Sequence, residues 1–317
     1  MVKYIEGVLM SSRLLDRIVD YIDLIRPFTL VPPAVAVISG GLLALGFYGR
    51  LSLNSFPGGG TELNFIPLFV GALLYGLLNG ASNAYNQVSD LDVDRINRPG
   101  RPIPSGRISV KEALIFCFSV YALGLALAYK ISFYFFVVTA ICLIITTLYS
   151  TPPVYLKKRF LLSTATIALC QSWLFLLAGW VIIPNANPWE PTFWFIGLVL
   201  FILLFGACGT KDFTEIEGDS RYGMKTLPIL YGKETAARFT GPFFVLPFVL
   251  IPIGVYTGLL VQTAIILMVL FVYGIYIGFN MKKLIKPRKN GENSRAWLHY
   301  YFMLMSLQLG FSAVYLS

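Results

Sequence analysis

An acidic run at the end of a long apolar stretch is the part of this sequence best suited to chemistry. It reads Asn-Gln-Val-Ser-Asp-Leu-Asp-Val-Asp over residues 86–94. Asn86, Asp90 and Asp94 recur every four residues, so on a helix these side chains share one face. Carboxylates held this close repel one another unless a cation lies between them. The spacing therefore predicts a site for a positively charged group.

A second acidic run, at residues 211–219, ends another apolar stretch. Its Asp212, Glu215 and Asp219 lie three and four residues apart, again on one helical face. Hard divalent cations prefer oxygen ligands of this kind. The two runs together predict Mg²⁺, held between helix ends that face one central cavity.

Basic residues follow both runs in loops rich in proline and glycine. The first loop carries arginines at positions 95, 98, 101 and 107, and the second carries Arg221, Lys225 and Lys233. Arginine matches phosphate oxygens while a metal neutralises the remaining charge, so this mixture is suited to a diphosphate. The alternative is that these cations only fix membrane topology and bind lipid headgroups.

The composition places this chemistry in a membrane. Of 317 residues, 56% are hydrophobic and 13% are charged, and the mean hydropathy is +0.71. Such values exclude an ordinary soluble domain and predict an all-α, polytopic membrane protein. The single histidine, His299, is expected to be an interfacial anchor.

Apolar windows near the ~20 residues that span a bilayer predict nine transmembrane helices. They lie at about 28–48, 65–87, 113–129, 132–150, 161–183, 192–209, 236–256, 259–279 and 296–315.

The basic residues predict the orientation of these helices. With the N-terminus in the cytoplasm, all of the 25 lysines and arginines except Arg50 and Lys130 fall on the inner side. Both acidic runs then open to the cytoplasm. Residues 1–25 are interrupted by charges but keep apolar positions at helical spacing, which predicts an amphipathic helix lying on the membrane before a domain at 26–317.

The motifs together resemble the UbiA superfamily of intramembrane prenyltransferases. The resemblance rests on Asn-Gln-x-x-Asp-x-x-x-Asp with Arg-Ile-Asn-Arg-Pro-Gly-Arg-Pro-Ile-Pro-Ser-Gly after it, on Tyr-Ser-x-Pro-Pro, and on Lys-Asp-x-x-x-x-Glu-Gly-Asp. It covers the chain from about Arg26 to the last helix. Gln87 departs from the family pattern, since many members have aspartate there. In motif detail the chain is more similar to archaeal digeranylgeranylglyceryl phosphate synthases and chlorophyll synthases.

The resemblance implies a role for individual residues. The implied Mg²⁺ ligands are Asn86, Asp90, Asp94, Asp212 and Asp219, with Glu215 in support. The implied contacts to the diphosphate are Arg26, Arg101, Lys157, Lys211 and Arg221. Tyr149 is expected near the allylic carbon, and Tyr149, Asp90 and Asp219 are the implied catalytic residues, whereas Asp92 and Glu217 lie off the shared faces.

The implied reaction is Mg²⁺-dependent transfer of an isoprenyl group from its diphosphate to a lipophilic acceptor. A C20 geranylgeranyl group and geranylgeranylglyceryl phosphate are expected by analogy, and an aromatic acceptor of quinone biosynthesis is the alternative. A cation-coupled secondary transporter is the alternative from another class, but its acids should lie near the bilayer midplane. The expected partners are the two substrates and membrane lipids, with neither nucleic acid nor an obligate protein partner indicated.

Overall fold

The structure, a computed structural model, describes residues 2–49, 65–287 and 293–317, with side chains from residue 14 onward. Its described part is helical and has no β-strand. The α-helices in this part are α1 Val2–Ile25, α2 Val31–Phe47, α3 Ile66–Ser89, α4 Leu91–Asn97, α5 Val110–Ile131, α6 Phe133–Ser150, α7 Phe160–Leu169, α8 Phe175–Trp180, α9 Pro191–Ala207, α10 Ile216–Arg221, α11 Leu227–Thr240, α12 Pro247–Tyr256, α13 Val269–Leu284 and α14 Arg295–Leu316.

Eight helical segments within the described residues are long and apolar enough to cross a membrane. They are Pro27–Phe47, Ile66–Ser89, Val110–Ile131, Phe133–Ser150, Phe160–Trp180, Pro191–Thr214, Leu227–Tyr256 and Gln262–Leu284. Each corresponds to one of the windows predicted from the sequence. The ninth window forms α14, a helix of 22 residues that is not among the eight. Arg50, one of the two basic residues that the predicted orientation puts on the outer side, is not among the described residues.

The large hydrophobic core lies between the long helices and includes fully buried aromatic side chains such as Trp180, Phe193 and Phe248. A second, smaller cluster ties α1 to the ends of α3 and α5 through Leu24, Ala84 and Ala113. Polar contacts reinforce this attachment, since Arg107 Nη1 lies 2.7 Å from Asp20 Oδ1. The amphipathic N-terminal helix is therefore packed against the same end of the bundle as the first acidic run.

Both acidic runs bend where a continuous helix was predicted. The first is interrupted at Asp90, which lies between α3 and α4 with φ −101° and ψ 14°. The second passes from a 3₁₀ turn over Cys208–Thr214 through Glu215 into the short helix α10. Neither run is therefore one uninterrupted α-helix. Hydrogen bonds from Asp90 N to Asn86 O and from Asp94 N to Asp90 O nevertheless keep the helical spacing of the first run. Each bend turns the chain from a membrane-spanning segment into a short helix, and α4 and α10 pack against each other.

Candidate functional site

A large cavity begins between the two acidic runs and extends among the long helices. Its volume is about 1450 Å³, counting the part open to solvent. The wall formed by α3 is polar along its length, because Asn79, Ser82, Asn83, Asn86 and Asp90 all line the cavity. These residues extend over about 16 Å of helix.

Lys157 holds the first acidic run together. Its ammonium nitrogen lies 2.5 Å from Asp90 Oδ1, 3.0 Å from Asn86 Oδ1 and 3.1 Å from Ser89 Oγ. The side chain of Lys157 is buried, and burial lowers its pKa while the Asp90 carboxylate opposes that shift.

Asp94 is held by a second cation, Arg101. One nitrogen of the Arg101 guanidinium, Nη1, lies 2.8 Å from both carboxylate oxygens of Asp94. Both side chains are buried. Burial raises the pKa of Asp94 to about 6, because desolvation and the neighbouring Asp90 and Glu215 outweigh the attraction of Arg101.

The second acidic run places Lys211 beside an aromatic ring. Lys211 Nζ donates to Tyr149 Oη at 3.2 Å and lies 5.7 Å from the centroid of that ring. Tyr149 Oη also lies 2.9 Å from Ser163 Oγ. Asp212 is adjacent in the chain and lines the same cavity. Tyr149 is thus fixed at the cavity wall by its hydroxyl group, with its ring near a cation.

Asn97 joins the two acidic runs, and the sequence alone did not single it out. Its Nδ2 donates to the carbonyl of Glu215 at 2.9 Å and to Asp219 Oδ1 at 3.2 Å, and its Oδ1 accepts from Gly218 N at 2.8 Å. A Cβ at position 218 would lie 2.7 Å from the Asn97 side chain, so a larger residue there would displace Asn97. Asn97 is the asparagine of the motif Arg-Ile-Asn-Arg-Pro, which the sequence analysis noted, but only the fold shows what this side chain contacts.

Asp219 is the most strongly shifted acid outside the membrane-spanning segments. Burial raises its pKa to about 8, and the nearby carboxylates of Glu215 and Asp212 add to the effect. Arg98 Nη2 forms an ion pair with Glu215 Oε1 at 3.7 Å. The raised pKa means that a proton occupies the Asp219 carboxyl near neutral pH, so a cation that binds here would displace it.

Arg26 is presented to the cavity by a turn in the left-handed region of backbone conformation, with φ 57° and ψ 74°. Such a conformation costs a non-glycine residue about 1–3 kcal/mol and persists when its surroundings impose it. Asparagines of α3 do so here, because Asn83 Nδ2 donates to the carbonyl of Ile25 at 3.1 Å and Asn79 Nδ2 to that of Thr29 at 2.8 Å. The turn thus fixes Arg26 beside the polar wall.

The structure brings together most of the predicted site residues. The cavity is lined by all six of the predicted metal ligands, by Tyr149, and by four of the five predicted diphosphate contacts, namely Arg26, Arg101, Lys157 and Lys211.

Arg221 is not brought to the cavity. It binds Glu217 on the surface, where their side chains are 62% and 71% exposed. Asp92 is equally peripheral, with 63% of its side chain exposed beside Arg95. Gln87 is buried but points to α1, where its Nε2 donates to the carbonyl of Leu24 at 2.9 Å.

The donor set fits Mg²⁺ that is shared with a substrate. Within the part of the chain that the structure describes, no three acidic, histidine or cysteine side chains converge on one point as a protein-only metal centre would require. Mg²⁺ bound with phosphates commonly takes only one or two carboxylates from the protein. Asp90 and Asp94 on one run and Asp212 and Asp219 on the other could each supply ligands of this kind.

Comparison with known sequences places the chain in one family of prenyltransferases. A model described as the UbiA prenyltransferase family matches residues 29–307. The bacteriochlorophyll synthase 33 kDa chain of Cereibacter sphaeroides is 31% identical over 221 residues, which are 68% of this chain and 68% of that protein. A digeranylgeranylglyceryl phosphate synthase of Methanopyrus kandleri is 30% identical over 242 residues, covering 75% of this chain and 79% of that protein.

The fold is also shared with a solved structure. A UbiA homolog from Archaeoglobus fulgidus bound to DMAPP and Mg²⁺ superimposes with a TM-score of 0.69. The two chains are 22% identical, and the superposition covers 94% of this chain and 99% of that one.

Replacing Asn97 by alanine removes three hydrogen bonds between the acidic runs. We expect turnover to fall about 10- to 100-fold, as for other residues that orient the ligands of a metal, with little change in expression. Steady-state kinetics on protein in detergent measure this. Asn280→Ala is the control, because Asn280 donates to the carbonyl of Tyr276 in its own helix. Equal activity in the two variants would contradict the role of Asn97.

Proposed function

The chain belongs to the UbiA prenyltransferase family, and from that premise we propose that it transfers a C20 geranylgeranyl group from its diphosphate to geranylgeranylglyceryl phosphate. The observation on which this depends most is the cavity that two acidic runs and four cations share. A prenyl diphosphate needs such a mixture at its polar end and room for an apolar chain behind it. The similarity to a digeranylgeranylglyceryl phosphate synthase supports the choice of acceptor.

We propose that the acidic runs bind Mg²⁺, through Asn86, Asp90 and Asp94 on one side and Asp212, Glu215 and Asp219 on the other. Bound Mg²⁺ would supply positive charge to the departing diphosphate oxygens. The bound structure of the Archaeoglobus homolog supports this assignment, since it contains both DMAPP and Mg²⁺.

The cations of the cavity are proposed to exchange partners when the diphosphate binds. Lys157 and Arg101 lie within 2.8 Å of Asp90 and Asp94, and Arg26 and Lys211 line the same space. Phosphate oxygens can take over these contacts because they offer the same kind of acceptor as the carboxylates. Arg221 is no longer proposed for this role, because its side chain lies on the surface.

Heterolysis of the allylic C–O bond leaves the bonding electron pair on the diphosphate and a delocalised positive charge on the prenyl carbon. The acceptor hydroxyl then forms the new C–O bond, and its proton leaves to a carboxylate, to the diphosphate or to water. Tyr149 is proposed to lie beside the cationic carbon, since the face of a tyrosine ring stabilises positive charge. Its hydroxyl is already engaged by Lys211 and Ser163, so the ring is the group that remains available.

The placement in the membrane is also a proposal. We propose that α14 is a ninth crossing in addition to the eight apolar segments, that the N-terminus and the opening of the cavity face the cytoplasm, and that residues 26–317 form one transferase domain. Supporting evidence for a surface position of α1 is its outward apolar face, where Leu14, Leu15 and Val19 are each more than half exposed.

A transporter is disfavoured on two grounds. The family is described as one of prenyltransferases, which are enzymes. The acidic side chains also lie at the ends of long helices, whereas those of a transporter would lie near the middle of the membrane.

Removing one proposed metal ligand should nearly abolish catalysis. Asp90→Asn and Asp219→Asn preserve side-chain shape but remove charge, and we expect turnover to fall roughly 100- to 1000-fold because a transition-state contact is lost. Asp92→Asn and Glu217→Gln are matched controls from the same runs, since both side chains are largely exposed. Rate measurements on all four variants decide the point, and similar losses in ligand and control variants would refute the assignment.

Divalent-cation binding should strengthen as pH rises from 6 to 8. The raised pKa values of Asp94, about 6, and Asp219, about 8, mean that protons occupy these carboxyls at lower pH and must leave before a metal binds. We expect affinity for Mn²⁺ to increase by about one to two orders of magnitude over this range, measured by electron paramagnetic resonance without substrate. Glu217→Gln should show the same slope. A flat profile would contradict the proposed ligands.

The acceptor is tested by product analysis. Purified protein with Mg²⁺ and labelled geranylgeranyl diphosphate is offered geranylgeranylglyceryl phosphate in one reaction and a phenolic acid in another. We expect an ether lipid in the first and no product in the second. A prenylated ring would instead assign the protein to quinone biosynthesis, and release of prenyl alcohol alone would refute both acceptors.

A further inference from the structure

A neutral amide lines the same cavity as the charged residues of the acidic runs. It belongs to Gln171, in the membrane-spanning segment Phe160–Trp180. Eleven residues separate it from Phe160, which is about 16 Å along a helix and near half of a ~30 Å hydrocarbon core. A polar side chain at this depth requires an explanation, because burying an unpaired amide is unfavourable.

The backbone is distorted where Gln171 occurs. Residues Cys170–Leu174 form a π-helical turn between α7 and α8. Turns of this kind displace the regular hydrogen bonds of a helix and are frequent at functional sites. On the other side of this turn, Trp173 Nε1 donates to the carbonyl of Trp194 at 3.1 Å, which attaches the turn to α9.

Two side chains of α14 donate hydrogen bonds to oxygen atoms of Gln171. The hydroxyl of Tyr300 donates a short hydrogen bond to Gln171 Oε1. Two turns further along α14, Gln308 Nε2 lies 3.4 Å from the main-chain carbonyl of Gln171. Both Tyr300 and Gln308 are almost fully buried, at 2% and 1% exposure. Tyr300 therefore orients the side-chain amide of Gln171 through its oxygen, and Gln308 holds the backbone at the same residue, before any ligand binds.

The donor side of the same amide is left available. No described residue accepts a hydrogen bond from Gln171 Nε2. The nitrogen is not sealed inside the protein either, because it is absent from the buried polar atoms that lack a partner. Because Gln171 lines the cavity, its two N–H bonds can reach a molecule bound there. A fixed donor of this kind loses little entropy when it binds an acceptor atom.

We propose that Gln171 binds a neutral oxygen of the acceptor substrate. The groups that hold it, Tyr300 and Gln308, are uncharged, whereas phosphate is bound by ammonium and guanidinium groups. This inference rests on the proposed function, in which the neutral oxygen is the ether oxygen of geranylgeranylglyceryl phosphate. Gln171 is then a specificity residue that orients the acceptor hydroxyl toward the prenyl carbon.

The experiment compares two acceptors and two proteins. One acceptor is geranylgeranylglyceryl phosphate, and the other has its ether oxygen replaced by a methylene group. The native protein should show a KM about tenfold higher for the methylene analogue. Gln171→Met, which conserves length but lacks the donors, should show the raised KM for both acceptors and an unchanged KM for geranylgeranyl diphosphate. Tyr300→Phe should have a smaller effect in the same direction.

Two controls separate binding from packing. Thr146 lines the same cavity, but its hydroxyl already donates to the carbonyl of Cys142. The acceptor KM should therefore not change in Thr146→Val. Gln308→Met removes the hydrogen bond from α14 to the Gln171 backbone, so it should lower the melting temperature and leave the acceptor KM nearly unchanged. An unchanged acceptor KM in Gln171→Met, with the native protein active, would overturn the inference alone. Absence of transfer by the native protein would overturn the proposed function with it.

Discussion

The site depends on the pairing of buried carboxylates with buried cations at the opening of a membrane cavity. Asp90 with Lys157 and Asp94 with Arg101 are close pairs from which water is largely excluded. Either member left alone would be strongly destabilised in such surroundings. The pairs can nevertheless be separated by a ligand that brings both charges with it. The proposed metal diphosphate is such a ligand, because the metal would satisfy the carboxylates and the phosphate oxygens would satisfy the cations.

This constraint explains the architecture around the cavity. The long helices bend or end at Asp90 and Glu215, which brings α4 and α10 together, and Asn97 fixes the distance between them. The turn at Arg26 and the loop that carries Lys157 are held to α3 in the same way, by side-chain amides and hydroxyls. Rigid spans thus provide the walls, and short irregular segments deliver the charged groups.

The sequence was sufficient for the elements and for most of the site because both depend on local pattern. Apolar windows predicted the spans, and acid spacing predicted which residues would meet. What could not be predicted arises from contacts between distant segments. The break at Asp90, the bridge made by Asn97, the surface position of Arg221 and the orientation of Gln171 all depend on the packing of other helices. The polar residues of α3, such as Asn79, Ser82 and Asn83, could be read from the sequence. Only the fold shows that they face the cavity.

The central claim is that both acidic runs hold one metal diphosphate between them. The most direct test is a structure of the protein with Mn²⁺ and a non-hydrolysable thio analogue of geranylgeranyl diphosphate, with anomalous scattering used to locate the metal. We expect Mn²⁺ between the Asp90 and Asp219 carboxylates, with Lys157 and Arg101 turned toward phosphate oxygens. Mn²⁺ bound to only one run, or a diphosphate bound outside this cavity, would contradict it.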